Sequence, residues 1–338
     1  MSGITAFDAY IPRGRLSKQA IAEANSWFDS SLKSLGRGER AICNWDEDSI
    51  TMAVEAVNNC LCSKLDADLS SLYLASTTFP FLDRQNSVVV SEALNLNKNI
   101  RTMDVGGSQR AATSALISLL ESSGEGDSVL VASEHRRSKA GSRAEMLWGD
   151  SAAAVLVGTD NVIAECLAIE SLAVDFIDHY RGEDANFDYD WEERWIRDEG
   201  FMKSVPTVVD KLLDSSSVSA EQINYFILPT DQARTPAALA KKLGINPEAV
   251  VDNQIAEVGV AGAAQPILLL AKALENAKPG EHILLIGFGQ GCDAVLLKAT
   301  DAITSYKPSV GVSAALASLS LIHISEPTRL LSSSYGVL

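Results

Sequence analysis

Apolar positions along the chain fall into two alternating rhythms. Short apolar runs closed by turn residues have strand length: SLYLAST (Ser71–Thr77), SVLVAS (Ser128–Ser133) and SAAAVLVG (Ser151–Gly158). Between them AATSALISLLES (Ala111–Ser122) carries its apolar residues at helical spacing. The later stretches INYFILPT (Ile223–Thr230), QPILLLAKALENA (Gln265–Ala277), HILLIGF (His282–Phe288) and DAVLLKA (Asp293–Ala299) repeat the order strand, helix, strand, turn, strand. Strands alternating with helices predict an α/β layer with a mostly parallel sheet.

The repetition survives a fixed offset. Adding 154 carries Leu69 to Ile223, Leu72 to Phe226, Tyr73 to Ile227 and Leu74 to Leu228. The same shift carries Leu116 to Leu270, Leu120 to Leu274, Glu121 to Glu275 and Gly126 to Gly280, and sets Val129, Leu130 and Val131 on Ile283, Leu284 and Leu285. Identities of Leu, Glu and Gly in one frame predict two duplicated halves. The charged stretch YDWEERWIRDEGFMKSV (Tyr189–Val205) reads as one further helix, with Trp191 and Trp195 four apart on one face and Met202 below them.

Composition adds bounds. The chain has 338 residues, 46% hydrophobic and 21% charged, which is ordinary for a globular protein and enough for roughly two domains of ~150 residues. A formal net charge of −16 argues against a nucleic-acid partner. No run of ~18 uncharged apolar residues predicts a membrane span. The start MSGITAFDAYIP lacks a basic region and apolar core, so a cytoplasmic location is expected. The cysteines (Cys43, Cys60, Cys62, Cys166, Cys292) form no paired CxxC spacing and the four histidines no ligand pattern, so reduced thiols and no metal site are expected. EHRRSKAGSR (Glu134–Arg143) is a local cationic exception. It reads as a solvated loop or, through Arg136 and Arg137, as a landing site for an anionic substrate handle such as the phosphates of coenzyme A.

RTMDVGGSQRAATSALISLL (Arg101–Leu120) has the form of a strand-to-helix turn that presents one side chain at a helix N-terminus. Together with four other stretches it resembles the thiolase superfamily, in the branch of hydroxymethylglutaryl-CoA synthase and ketoacyl synthase III. WGDSAAAVLVG (Trp148–Gly158) is similar to that family's Gly-Asp-Gly-Ala strand entry, with Ser151 where glycine is usual. GFGQGCDAVLL (Gly287–Leu297) is similar to its last glycine-rich hairpin, which brings Gly289 and Gly291 to the site. YIPRGRLSKQAIAEAN (Tyr10–Asn25) resembles its opening strand, proline and helix, and GVAGAAQPILLL (Gly259–Leu270) its Gly-Asn helix entry. The resemblance implies a five-layered αβαβα thiolase-like fold with halves at residues 3–166 and 167–318. It also implies a homodimer, and acyl-CoA or acyl carrier protein thioesters as substrates without a further cofactor. In such enzymes a cysteine at the N-terminus of the buried helix becomes acylated. The helix end favours the thiolate, and backbone N–H groups hold the oxyanion.

Carried onto this chain, the pattern puts Gln109 in the cysteine's place. A carboxamide has no nucleophilic sulfur and cannot form the acyl-enzyme. Ser108 lies one residue earlier, on another face of the turn, and would need a base. The family's glutamate matches Thr78, its second-half histidine the neighbourhood of Thr230, and its asparagine Val260. Neither threonine titrates near neutral pH, and the Val260 side chain has no polar group. Three readings follow from the resemblance: an acyl-thioester-handling synthase with reassigned chemistry, a malonyl-thioester decarboxylase, or a non-catalytic subunit. The last would assemble with an active thiolase and a zinc-ribbon/OB-fold protein. On the same resemblance the 189–205 helix is a domain helix, a partner face or a wall of the acyl tunnel. The tail from Leu319 to Leu338, with LIHISEPTRL at its centre, resembles translated adapter sequence, and residues 319–338 are expected to be non-native and loosely attached.

Overall fold

A computed structural model describes residues 2–64, 68–122 and 126–318. The expectation for the 319–338 tail lies outside the described residues.

Nine strands form one hydrogen-bonded sheet: β1 (Gly3–Tyr10), β2 (Leu69–Ala75), β3 (Arg101–Val105), β4 (Asp127–Glu134), β5 (Ser151–Gly158), β6 (Ala164–Ala173), β7 (Ile223–Ile227), β8 (His282–Phe288) and β9 (Gly291–Ala299). Their spatial order is β7-β8-β9-β6-β1-β5-β4-β2-β3. The expected mostly parallel sheet is corrected: only β7–β8, β2–β3 and β2–β4 pair in parallel, and the other five pairings are antiparallel, because β5 and β9 each return directly beside the strand before them. β1 and β6 join through only two residue pairs, Gly3 with Glu165 and Ile4 with Ala164, so the sheet divides there into two half-sheets. The first runs β1-β5-β4-β2-β3 and the second β6-β9-β8-β7, with a parallel bridge from Phe226 to Val250 where a fifth strand would lie.

Alternation within the strands assigns the layers, because successive side chains point to opposite faces. Leu130, Ala132 and Val155 of the first half-sheet and Ile283, Leu285, Val295 and Leu297 of the second share one core. The helices Ala111–Glu121 and Gln265–Leu274 lie in that same core, between the half-sheets. Leu72, Leu74, Val129, Val131, Ala154 and Leu156 face the opposite way, onto the helix Ser49–Cys62. Phe226, Leu284, Ile286 and Leu296 face the helices Met202–Ser216 and Thr235–Leu243. The result is the five-layered αβαβα thiolase-like arrangement. We name the central-layer helices α1 (Ala111–Glu121) and α2 (Gln265–Leu274). β5 is buried at all eight positions. That explains its unbroken apolar run, since a strand covered on both faces has no solvent side on which to place polar residues. Local chemistry supports the layers: Asp48 caps the helix Ser49–Cys62 by accepting from the Ile50 and Thr51 amides, in a reciprocal capping box with Thr51.

The half-sheets repeat with one correction. The offset of 154 holds between Leu72 and Phe226, and both strands carry a bulge at the same place, Leu69/Ser71 and Ile223/Tyr225. Val129, however, pairs with Leu72 while Leu284 pairs with Phe226, so the counterpart of Val129 is Leu284, and Leu130 and Val131 correspond to Leu285 and Ile286. One residue is inserted after the left-handed glycines Gly126 (φ +86) and Gly280 (φ +85). A one-residue slip moves a side chain to the other face. Val129 and Leu284 both face an outer helix layer, whereas Ile283 faces the central one.

The 189–205 segment is also corrected. Tyr189–Asp190 is a short strand paired with His179–Tyr180, and the helix starts at Glu193, with a π turn over Ile196–Phe201. Trp191 therefore lies outside the helix and packs on Tyr189, while Trp195 stacks on Phe176, so the two share no helical face. Among the described residues no helix is long and apolar enough to cross a membrane.

Candidate active site

The turn between β3 and α1 sits where the half-sheets meet. Gly107 takes the left-handed conformation (φ +83) that a side chain would resist, and the chain then passes Ser108, Gln109 and Arg110 into α1. The second half locks this turn. Asp293 of β9 accepts from Arg110 Nη1 at 3.0 Å, Thr113 Oγ1 at 2.9 Å, Ser114 Oγ at 2.7 Å and Ser171 Oγ at 2.8 Å. The β8–β9 turn approaches so closely that a Cβ on Gly289 would lie 2.6 Å from Ser108 Oγ. Ser108 donates to the Gly289 carbonyl at 2.8 Å and accepts from the Arg110 amide at 3.3 Å. Its hydroxyl thus fastens the turn. Gly291 presses against the Leu172 carbonyl of β6, away from both cavities described next.

Two cavities flank the turn. One, of about 460 Å³, is lined by Ser76, Thr78, Ser108, His179, Arg181 and Gln290, among others. The other, of about 220 Å³, is lined by Gln109, Arg136, His179, Thr230, Val260 and Phe288, among others. The structure thereby brings Gln109, Thr230, Val260 and Arg136 to one cavity and Thr78 and Ser108 to its neighbour. Asp178 and His179 belong to the walls of both.

The threonine hydroxyls are already engaged. Thr78 Oγ1 donates to Glu134 at 3.0 Å and accepts from the His135 amide at 3.0 Å. Glu134 is fully buried and also accepts from Ser76, from the Thr77 amide and hydroxyl, and from the Ala263 amide, tying the end of β4 to the turn that precedes α2. Thr230 Oγ1 accepts from the Gln232 amide at 3.1 Å. Val260 is held by backbone bonds to Leu147 and Gly149 and offers the cavity an apolar wall.

Arg136 and Arg137 part company. Arg136 is 3% exposed, stacks over Trp148 at 3.8 Å and pairs with Asp188. Asp188 also accepts from Arg181 at 2.7 Å; burial would raise its carboxyl, but the two guanidinium groups outweigh burial and hold it below the usual range. Arg137 is exposed and lines neither cavity.

Spacing missed His179. Its Nδ1 lies 3.0 Å from Asp178 Oδ2, and the Gln109 amide nitrogen lies 3.4 Å from Nδ1 and 3.2 Å from Nε2. Asp190, on the strand paired with His179–Tyr180, lines the smaller cavity, and desolvation raises its carboxyl above the usual range. The adjacent Asp178-His179 in DFIDHY is the one signal present, and no motif marks it. A second convergence also escapes spacing: Cys43, His135 and Asp150 lie within 4.8 Å of one another, with Asp150 Oδ2 accepting from the Cys43 amide at 2.8 Å and facing His135 Nδ1 at 3.0 Å.

The comparisons with known proteins bear on the same region. Residues 213–298 match the family model "3-Oxoacyl-[acyl-carrier-protein (ACP)] synthase III C terminal". The hydroxymethylglutaryl-CoA synthase of Aeropyrum pernix is 28% identical over 316 residues, covering 91% of this chain and 87% of that protein. That of Caldivirga maquilingensis is 27% identical over 310 residues, covering 88% of each. The family model and these relatives support the thiolase superfamily, in the hydroxymethylglutaryl-CoA synthase and ketoacyl synthase III branch, as the group this chain is similar to. Solved structures agree on the fold. The 3-oxoacyl-(acyl carrier protein) synthase III of Pseudomonas aeruginosa PAO1 superposes with a TM-score of 0.76 at 23% identity, over 88% of this chain and 98% of that one. A hydroxymethylglutaryl-CoA synthase of Bacillus subtilis gives 0.77 at 18% identity, over 95% and 86%.

Proposed function

We propose that the chain binds acyl thioesters, delivered by coenzyme A or an acyl carrier protein, at the N-terminus of α1, and that it forms no acyl-enzyme at position 109. The observation that carries this reading is the place of Gln109: it lies in the turn two residues before α1, on the wall of a cavity, where the branch's chemistry calls for a thiol. Support also comes from relatives whose names specify a CoA-dependent synthase. On this reading no separate cofactor is needed, Arg137 is the free cation for the handle's phosphates, and the protein works in the cytoplasm. The test is calorimetric titration of the purified protein with acetyl-CoA and malonyl-CoA, followed by intact-mass analysis. Saturable binding with no mass increment is expected. Absence of binding, or acetylation of the 108–110 turn, would refute the reading.

A second reading, as a non-catalytic subunit beside a thiolase and a zinc-ribbon/OB-fold protein, is favoured by one surface observation. Trp27, Phe28 and Trp45 are 85%, 75% and 85% exposed, and aromatic side chains are enriched where partners dock. Homodimer formation is proposed through β3, a sheet edge on which Met103 is 45% exposed.

A further inference from the structure

We propose that His179, oriented by Asp178, is the general base of this pocket, and that the chain hydrolyses acyl-CoA thioesters by directing water at the thioester carbonyl. The inference rests on the acyl-thioester reading above and assigns its chemistry.

The argument begins with what the site lacks. Gln109 cannot be acylated, the Thr78 hydroxyl both donates and accepts, that of Thr230 accepts from the Gln232 amide, Ser108 fastens the turn, and Val260 is apolar. With no thiol among the described residues lining either cavity, direct passage of the acyl group to a small acceptor is the simplest chemistry left, and water is the one always present. Water needs a base, and His179 is the single imidazole among the described residues lining either cavity.

Its setting suits that task. The Asp178 carboxylate, in ion-pair contact 3.0 Å from Nδ1, favours by its charge the tautomer with the ring proton on Nδ1, which leaves the lone pair on Nε2. An amide nitrogen nearly equidistant from both ring nitrogens cannot lie along the in-plane lone pair of either. The Gln109 amide therefore packs over the face of the ring and braces it, and Nε2 is left with no in-plane partner among the described residues. The side chains are mostly sheltered, with His179 16% and Asp178 13% exposed, yet both belong to the walls of the two cavities. This is a positioned base opposite the positive end of the α1 dipole, which favours the negative charge that develops on the carbonyl oxygen.

The step balances without a further reactant. The oxygen of water bonds to the thioester carbonyl carbon as its proton passes to His179 Nε2, and Asp178 stabilises the imidazolium. The tetrahedral intermediate collapses, the carbon–sulfur bond breaks, and the leaving thiolate takes the proton from Nε2. The products are a carboxylic acid and free coenzyme A.

The test uses the full chain with acetyl-CoA and malonyl-CoA, reading free thiol by a chromogenic reagent and the acid by mass spectrometry. Wild type should release coenzyme A and acetate in equal amounts. His179→Gln should lower kcat by about 10²–10⁴-fold while leaving acetyl-CoA affinity unaltered. Asp178→Asn should lower kcat by less, and added imidazole should restore part of the activity of His179→Gly, which a merely structural role would not allow. Acetyl-CoA binding without His179-dependent thiol release would overturn the proposal and leave the acyl-thioester reading standing. Release of carbon dioxide from malonyl-CoA with the thioester intact would overturn it in favour of decarboxylation. Failure to bind either thioester would remove the underlying reading, and this proposal with it.

Discussion

Removing the Asp293 carboxylate should release the central-layer helix α1 from the second half-sheet. Asp293 is 2% exposed and accepts four hydrogen bonds, from Arg110 and Ser171 on Oδ1 and from Thr113 and Ser114 on Oδ2. Hydrogen bonds to a buried charge are worth about 1.5–3 kcal/mol each. Thr113 keeps a second acceptor, the Arg110 carbonyl at 2.9 Å, and Arg110 is 19% exposed and regains some water, so neither counts in full. Ser171 is exposed and also turns to water, which leaves Ser114 to lose the most. Asp293→Ala should therefore cost about 3–5 kcal/mol, the range for breaking a buried ion pair. Asp293→Asn should cost less, about 1–2 kcal/mol. Its amide nitrogen can face Thr113 and Ser114, whose hydroxyls rotate to accept, while its oxygen still receives Arg110 and Ser171. Urea unfolding followed by far-ultraviolet circular dichroism gives both values from the midpoint and slope. A loss under about 1 kcal/mol for the alanine variant, or equal losses for the two, would refute this account of how α1 is anchored.

Three further outcomes are expected. Gln109→Cys should create a thiol that titrates below the usual value of about 8.5, because a helix N-terminus favours the thiolate; the pH dependence of alkylation by iodoacetamide measures it, and an ordinary value would discount the helix end. The hydrogen bond to Asp150 raises the His135 pKa above 6.5. Its stabilising contribution is then complete below the unfolded pKa and is lost as pH rises through the folded one. Because the ring is 39% exposed, the effect should stay under about 1 kcal/mol, and urea midpoints that fall with rising pH in wild type but not in His135→Gln would show it. Met103→Lys should convert the proposed dimer to a monomer in size-exclusion chromatography with light scattering, and a wild-type monomer would refute pairing through β3.

Sequence pattern alone determined the alternation of strands and helices and its duplication, and the family resemblance supplied the five layers. A short unbroken apolar run such as SAAAVLVG, closed by glycine, suits a strand covered on both faces, and the 154-residue offset follows strands β2 and β7 through their shared bulge. The glycine turn between a strand and a small-residue helix start showed that one side chain is presented at a helix N-terminus, and the family resemblance, not the pattern, pointed to Gln109. Tertiary packing decided the rest. The one-residue slip at β8 is invisible where Ile283, Leu284 and Leu285 are all apolar, since hydropathy cannot tell which of two buried faces a residue takes. Arg136 and Arg137 read alike as charges until one is seen folded over Trp148 and paired with Asp188 while the other stays in water. His179 lies 70 residues from Gln109 in an irregular polar stretch, and periodicity records burial within a segment, not the meeting of two segments. That meeting is set by the hairpin of His179–Tyr180 with Tyr189–Asp190, whose position depends on Phe176, Trp195 and the ion pairs of Asp188 acting together.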